Sequence, residues 1–401
     1  MRVFVLYHSM FPDSMGVAKI MDRFCEGITE NFSVIACSAN RAYRDPQISF
    51  PLREVHGRIR YRRVWRPQLS QASIIGRIIN AGFIILGWMY VLLSSRVGPR
   101  DIVVIGSEPI MSISIAPVVR YIFRAKVIHW CWDLYPESAI ADGLVKEYGL
   151  VGTLFRRLAR LGYHSCSAII DIGPKMKSEL AKYRISCRCE TITPCAIVET
   201  PMTPNRSSDL RNILFGGAQL AVMYSGTFGR AHSINLILKL LNELKYVDIA
   251  IHFSVSGHCV SDLKIDKLWK QINVTVGSNV PLPDLWQHLA AADIHIVGLK
   301  EAWSGFVVPS KFFGALSVRR PVLFEGSYNS DIGIWIRRYG VGWVLNEDNF
   351  EEVKLDIMKF INNSEYAESM RLRCQSVYES EFSQHRMIES WNDLLLSVSQ
   401  C

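Results

Sequence analysis

The feature that most constrains the fold is the order of apolar runs, which alternate between strand and helix spacing, break once, and then start again. In the first half, Arg2–Tyr7, Phe32–Ala36, Asp101–Gly106, Lys126–Trp130 and Ala168–Ile172 read as strands. Between them, Ala18–Thr29 sets Ile20, Met21, Phe24 and Ile28 at helical spacing, and Ile113–Phe123 and Gly152–His164 are helical as well. A second series follows: strands at Ala221–Tyr224, Ile249–Ser254, Asn273–Val276, Asp293–Leu299 and Pro321–Phe324, with a helix over Ile234–Leu244. Buried strands alternating with helices make a parallel sheet covered on both faces. Between the two series, Pro201, Pro204, Asn205, Ser207 and Ser208 have linker composition. The expected fold is therefore α/β, with two doubly wound Rossmann-like domains facing a cleft at the carboxyl ends of their sheets. The first domain covers residues 1–195 and the second 196–375. A helical segment at 376–401 is expected to pack back on the first.

At 401 residues the chain can bury two cores, and it contains neither a low-complexity block nor a repeat. A formal net charge of +8 favours anionic partners: nucleic acid, an anionic membrane surface or a phosphorylated substrate. The basic stretch Arg58–Arg66 is one local cluster without an RNA or DNA module, so no nucleic acid is expected. The ten cysteines are scattered, with Cys187 and Cys189 the tightest pair. No CxxC has a matching partner pair, so no metal site is expected. Met1–Tyr7 reads as a first strand, not a secretion signal, and scattered thiols then suit a reducing cytoplasm.

Ile78–Leu93 is almost wholly apolar, yet shorter than the ~20 residues that a membrane-spanning helix needs. Arg58, Arg60, Arg62, Arg63 and Arg66 precede it, with Tyr61 and Trp65 among them. Two readings stand side by side. Arginines and aromatics beside an apolar helix suit a domain lying on anionic lipid headgroups. The same residues also suit a buried core helix after an arginine-rich hairpin.

Two stretches carry chemistry. Val307–Leu316 follows a strand and opens a helix, so the amides at its start, the Ser310 hydroxyl and Lys311 make a place for phosphate. Met223–Arg230 leads a strand into Gly226 and Gly229 and then Arg230. Glycines let backbone approach a ligand and arginine grips phosphate oxygens in pairs, although an ordinary strand–helix connection has the same composition. The GxGxxG spacing of a dinucleotide site is missing. No Gly-x-Ser-x-Gly elbow or diagnostic cysteine suggests a nucleophile.

Ser225–Arg230, Leu289–Asp293, Val308–Gly314 and Arg320-Pro321-Val322 occur in one order, with His129–Glu137 containing Asp133-Leu134-Tyr135-Pro136-Glu137 upstream. Together they resemble glycosyltransferase family 4, in particular bacterial surface-polysaccharide enzymes related to the N-acetylfucosamine transferases. The resemblance implies a GT-B fold and a retaining, metal-independent transferase. The second domain would bind a nucleotide-sugar donor, UDP-linked, and the first a lipid-pyrophosphate-linked acceptor. No cofactor is implied. By position, Arg230 and Lys311 would bind the donor diphosphate, with Gly226 and Ser310 beside them. Gly16 would lie in a loop over the reacting sugar. Asp133 and His129 would serve as catalytic groups, orienting the acceptor hydroxyl or the donor sugar.

The pattern departs from the family at the paired glutamates. Gly314 stands at the second, ribose-binding position, and Glu301 or Ser304 at the first. A lysine expected after the Gly-Arg turn is replaced by His232-Ser233-Ile234. The expected location is the inner face of the cell membrane, on the cytoplasmic side and peripheral. The alternatives are a sugar-nucleotide epimerase of the same fold and a catalytically silent membrane-associated scaffold.

Overall fold

The computed structural model describes residues 1–71, 73–199, 208–244, 247–256 and 273–400; Pro201, Pro204, Asn205 and Ser207 of the linker lie outside the described residues. The chain divides into two compact units. Unit 1 comprises Met1–Thr193, Gly305–Val307 and Gln384–Cys401; unit 2 comprises Pro194–Ser304 and Val308–Ser383.

Unit 1 is built on eight strands: β1 (Arg2–Leu6), β2 (Ser33–Cys37), β3 (Arg53–His56), β4 (Ile59–Arg62), β5 (Ile102–Gly106), β6 (Lys126–Trp130), β7 (Ala168–Asp171) and β8 (Arg188–Thr191). Their order is β3-β4-β2-β1-β5-β6-β7-β8, parallel except for the β3–β4 hairpin. Val3–Leu6 and Ile102–Ile105 are at most 1% exposed, because helices cover both faces of a parallel sheet. Helix Gly16–Gly27 turns Ile20, Met21 and Phe24 inward, as the spacing implies. Helix Gln384–Gln400 belongs to this unit: Trp391 is fully buried against Phe24 and Trp130, each at 4.6 Å between ring centroids. The two helices approach closely, since a Cβ on Gly27 would stand 2.6 Å from Ile388.

The arginine-rich stretch is only partly a surface. Arg63 and Arg66 are 4% and 0% exposed. Arg63 donates to the carbonyls of Pro51 and Phe11, both at 2.8 Å, and pairs with Glu54 at 2.7 Å. Arg66 donates to the carbonyl of Ala42 at 2.8 Å and contacts His8 Nε2 at 3.2 Å. These two tie the hairpin to neighbouring loops, leaving Arg58 and Arg60 exposed.

The apolar helix after the hairpin is longer than its apolar run. It spans Ile74–Ser94, 21 residues, because Ser73 caps it by accepting the Gly76 amide and Arg77 falls inside it. By length and composition it can cross a membrane, and 33% of its apolar window is buried. Ile84, Trp88 and Leu92 pack inward at 0% exposure, while Ile75, Leu86 and Tyr90 are each 69–70% exposed.

Unit 2 carries β9 (Leu220–Thr227), β10 (Ile249–Ser256), β11 (Asn273–Gly277), β12 (Ile294–Gly298), β13 (Val322–Glu325) and β14 (Gly342–Leu345), all parallel, in the order β11-β10-β9-β12-β13-β14. The winding reverses between β9 and β12, which makes the carboxyl ends of those two strands the expected ligand position. Arg320, which opens the Arg320-Pro321-Val322 motif, is buried and structural: it donates to the carbonyls of Ala292 (2.6 Å) and Ala290 (2.7 Å). Those bonds fasten the entry of β13 to that of β12.

Candidate functional site

In unit 2, the end of β9 meets the start of helix Lys311–Ser317. Gly226 has φ +116°, a conformation that side chains rarely adopt. A Cβ there would lie 3.3 Å from Lys311 Cε. The Lys311 ammonium donates to the Thr227 carbonyl at 2.8 Å and sits 5.0 Å over the Tyr224 ring. Burial lowers its pKa to about 7. Ser310 is exposed just before it, and its hydroxyl does not cap the helix. Arg230 is exposed in the turn that follows β9. The structure thus joins Gly226 and Lys311 into one surface, a bare backbone beside a partly exposed cation.

His232, at the position where a lysine is expected, is locked. Its Nδ1 lies 2.7 Å from the Gly298 carbonyl, and burial, reinforced by the Lys311 charge, pushes its pKa down to about 3. It adds no positive charge at neutral pH.

Glu301 is exposed in the short turn Glu301–Trp303 after β12. It lines an open cavity of about 1020 Å³ with Lys239, Lys300, Glu325 and Tyr328. Glu325 is spent on structure, accepting the Ser233 hydroxyl and the amides of Leu236 (2.8 Å) and Ile237 (3.1 Å) at the start of helix Asn235–Glu243. Ser304, the other candidate for the first acidic position, has a buried Oγ without a hydrogen-bond partner. Gly314 has room for a side chain, since its Cβ would meet only Leu289, at 3.6 Å. Packing does not demand glycine there.

Unit 1 holds the remaining predicted residues. Asp133 follows β6, where the amides of Trp132 and Asp133 both donate to Ser107 Oγ, at 3.1 and 3.0 Å. It forms an isolated bridge with Val307, and Leu134 donates to the Phe306 carbonyl at 2.9 Å. Burial raises the Asp133 pKa to about 6. His129 sits inside the sheet instead of at its edge: it is 2% exposed, with Nδ1 2.9 Å from the Ile105 carbonyl. Burial lowers its pKa to about 4, which leaves the imidazole neutral at neutral pH. Gly16 opens the first helix, and Met15 before it supplies no side-chain cap.

Sequence inspection missed the groups around Asp133. Glu108, at the end of β5, has its pKa raised to about 8, chiefly by burial and then by the Asp133 charge. Tyr43 and Arg77 stand within electrostatic reach of it. Asp13 orders the loop after β1 by accepting the amides of Tyr43 (2.8 Å) and Met15 (3.3 Å) and the Ser9 hydroxyl. Among the described residues no group of three His, Cys, Asp or Glu is placed to hold a metal ion.

No protein-family model matches the chain. Over 263 residues it is 26% identical to WbjE of Pseudomonas aeruginosa, named a probable glycosyltransferase; the match spans 63% of this chain and 64% of that protein. Sucrose-phosphate synthase from Thermosynechococcus elongatus superposes with a TM-score of 0.74 at 11% identity, covering 99% of both chains. The fold is GT-B. WaaG, a glycosyltransferase involved in lipopolysaccharide biosynthesis, gives 0.66 at 14% identity over 98% of this chain and 99% of its own. HepE of Anabaena, solved in complex with UDP, gives 0.65 at 11% identity over 99% and 100%.

Proposed function

We propose that this protein is a retaining, metal-independent glycosyltransferase of surface-polysaccharide biosynthesis. It moves a sugar from a UDP-linked donor to a lipid-pyrophosphate-linked acceptor. The observation that carries this is the Gly226–Lys311 contact at the carboxyl end of β9, beside the switch in strand order. A donor diphosphate lies on the backbone that Gly226 leaves bare. Lys311 and Arg230 then neutralise charge growing on the departing nucleotide, the task a metal performs in other transferases. In unit 1, Asp133 orients the acceptor hydroxyl, and the amides that open the helix at Gly16 face the transferred sugar. The names of WbjE and WaaG support a sugar-transfer role, and HepE, solved with UDP, supports UDP as the nucleotide.

The enzyme works on the cytoplasmic side, peripheral on the inner face of the cell membrane. Support comes from the outward stripe of helix Ile74–Ser94, with Trp65 52% exposed and packed on Phe83. A second helix, Leu150–His164, exposes Leu150, Val151, Leu154 and Leu161 beside Arg157 and Arg160. Apolar and cationic residues on one helix suit an anionic bilayer. These arginines take over the role first read into Arg63 and Arg66.

A thermal-shift screen of nucleotide sugars with EDTA present tests the donor. A UDP-sugar at a hundred times its Kd adds about 2.7 kcal/mol, a rise of a few degrees in Tm. Lys311→Ala should abolish that rise. Stabilisation by no nucleotide sugar, or isomerisation of a UDP-sugar without acceptor, would overturn the proposal. The anomeric configuration of the product, read by NMR, tests retention.

A further inference from the structure

Helix Ile74–Ser94 carries one charged residue, Arg77. At about 3.6 residues per turn, Arg77 shares its face with Ile84, Trp88 and Val91, all buried, and points away from the exposed stripe of Ile75, Ile78, Leu86 and Tyr90. A lone guanidinium turned inward on an apolar helix needs a partner. Its Nε is buried without an acceptor, and the side chain forms no ion pair within 4 Å among the described residues. Arg77 lies within electrostatic reach of Tyr43, Glu108 and Tyr135, in the loops after β2, β5 and β6. Two further N–H groups of unit 1, Gln71 Nε2 just before the helix and Trp132 Nε1 next to Asp133, are also buried without acceptors. Asn80 Oδ1, one turn on from Arg77, is a buried acceptor without a donor, yet the unpaired groups at Gln71, Arg77 and Trp132 are all donors, which suits a ligand carrying oxygen acceptors. The nearby acids do not forbid an anion: Glu108, held at about 8, is an O–H donor at neutral pH, leaving Asp133 as the carboxylate facing the acceptor.

We propose that Arg77 binds the phosphate of a lipid-linked acceptor, drawn from the bilayer in which the outward stripe of the same helix is seated. This rests on the lipid-linked acceptor proposed above. The first turn of the helix then places the lipid phosphate beside the loop that carries Asp133.

Calorimetry on the intact protein with farnesyl diphosphate, inorganic pyrophosphate and farnesol tests it. Farnesyl diphosphate should bind most tightly, and Arg77→Met should weaken it by about tenfold or more, as loss of a charge-assisted hydrogen bond does. Arg77→Lys should recover part of the loss, and farnesol should be indifferent to both changes. UDP binding in the same preparations should be unchanged, which reports that the variants are folded. Equal binding of farnesyl diphosphate by wild type and Arg77→Met overturns the role of Arg77 and leaves the lipid-linked acceptor standing. Absence of binding to the wild type removes both. Pyrophosphate binding as tightly as farnesyl diphosphate would make this a plain anion site, against the proposal. Loss of flotation on phosphatidylglycerol vesicles with farnesyl diphosphate binding intact would assign Arg77 to membrane headgroups instead.

Discussion

A side chain at Gly226 would begin 3.3 Å from the Cε of Lys311, on a backbone whose φ is +116°. Gly226→Ala should therefore cost about 1–3 kcal/mol in urea unfolding, from the strained dihedral. It should also weaken UDP binding by displacing the lysine. Gly314→Ala is the contrasting control. With only Leu289 at 3.6 Å and a helical position, it should gain roughly 0.5–1 kcal/mol.

Lys311 gives donor binding a pH dependence. Its pKa in the free protein is about 7, and a bound diphosphate restores the charge. UDP affinity should fall from pH 7 to pH 9, with proton uptake at pH 8 seen as buffer-dependent heat in calorimetry. Lys311→Arg should flatten the profile, since a guanidinium stays charged. The sign for stability runs the other way. The folded pKa lies below the ordinary 10.5, so the unfolded chain holds more protons between about 7 and 10.5, and this group makes the free protein more stable as pH rises there.

Glu108 has the opposite linkage. Its folded pKa of about 8 exceeds the ordinary 4.5, so its contribution is complete below about 4.5 and is lost as pH rises to about 8. Glu108→Gln stays neutral throughout. Melting temperatures between pH 5 and 9 should decline less steeply in the variant; parallel curves would show that Glu108 is not the proton carrier.

His129→Leu removes the hydrogen bond to the Ile105 carbonyl, at a cost of about 0.5–1.5 kcal/mol. Turnover per folded molecule should be unchanged, and no inflection near pH 6.5 should disappear. A loss of kcat without a loss of stability would return His129 to the catalytic set.

The double variant Leu86→Asp, Tyr90→Asp should lose flotation on anionic vesicles, because each carboxylate pushed toward hydrocarbon costs about 2–3 kcal/mol. Arg157→Ala with Arg160→Ala should remove only the salt-sensitive part. Thermal shifts with UDP should not change in either variant.

Strands buried on both faces were readable because they are continuous apolar runs, as in Val103–Ile105 and Ala221–Tyr224. Edge strands were not: β8 reads Arg188-Cys189-Glu190-Thr191, a polar segment paired only on one side. The first turn of the long apolar helix was hidden because Arg77 interrupts the run that would have marked it. Gly226 and Lys311 could be found because each sits in a local motif. Glu108 and Arg77 could not, since their surroundings come from loops after β2, β5 and β6 that only the sheet brings together. Glu325 caps a helix 88 residues earlier, a pairing that no local pattern announces. His129 shows the converse limit, for apolar flanks read the same around a packed imidazole and an active one.

The helix Gln384–Gln400 sets an order on biosynthesis. Most of unit 1 precedes unit 2 in the chain, yet Trp391, wedged between Phe24 and Trp130, arrives after all of unit 2 has been made. During synthesis the amino-terminal sheet waits with an aromatic pocket uncovered, while unit 2 can close its own sheet from contiguous strands. The half whose strands come first is thus completed last.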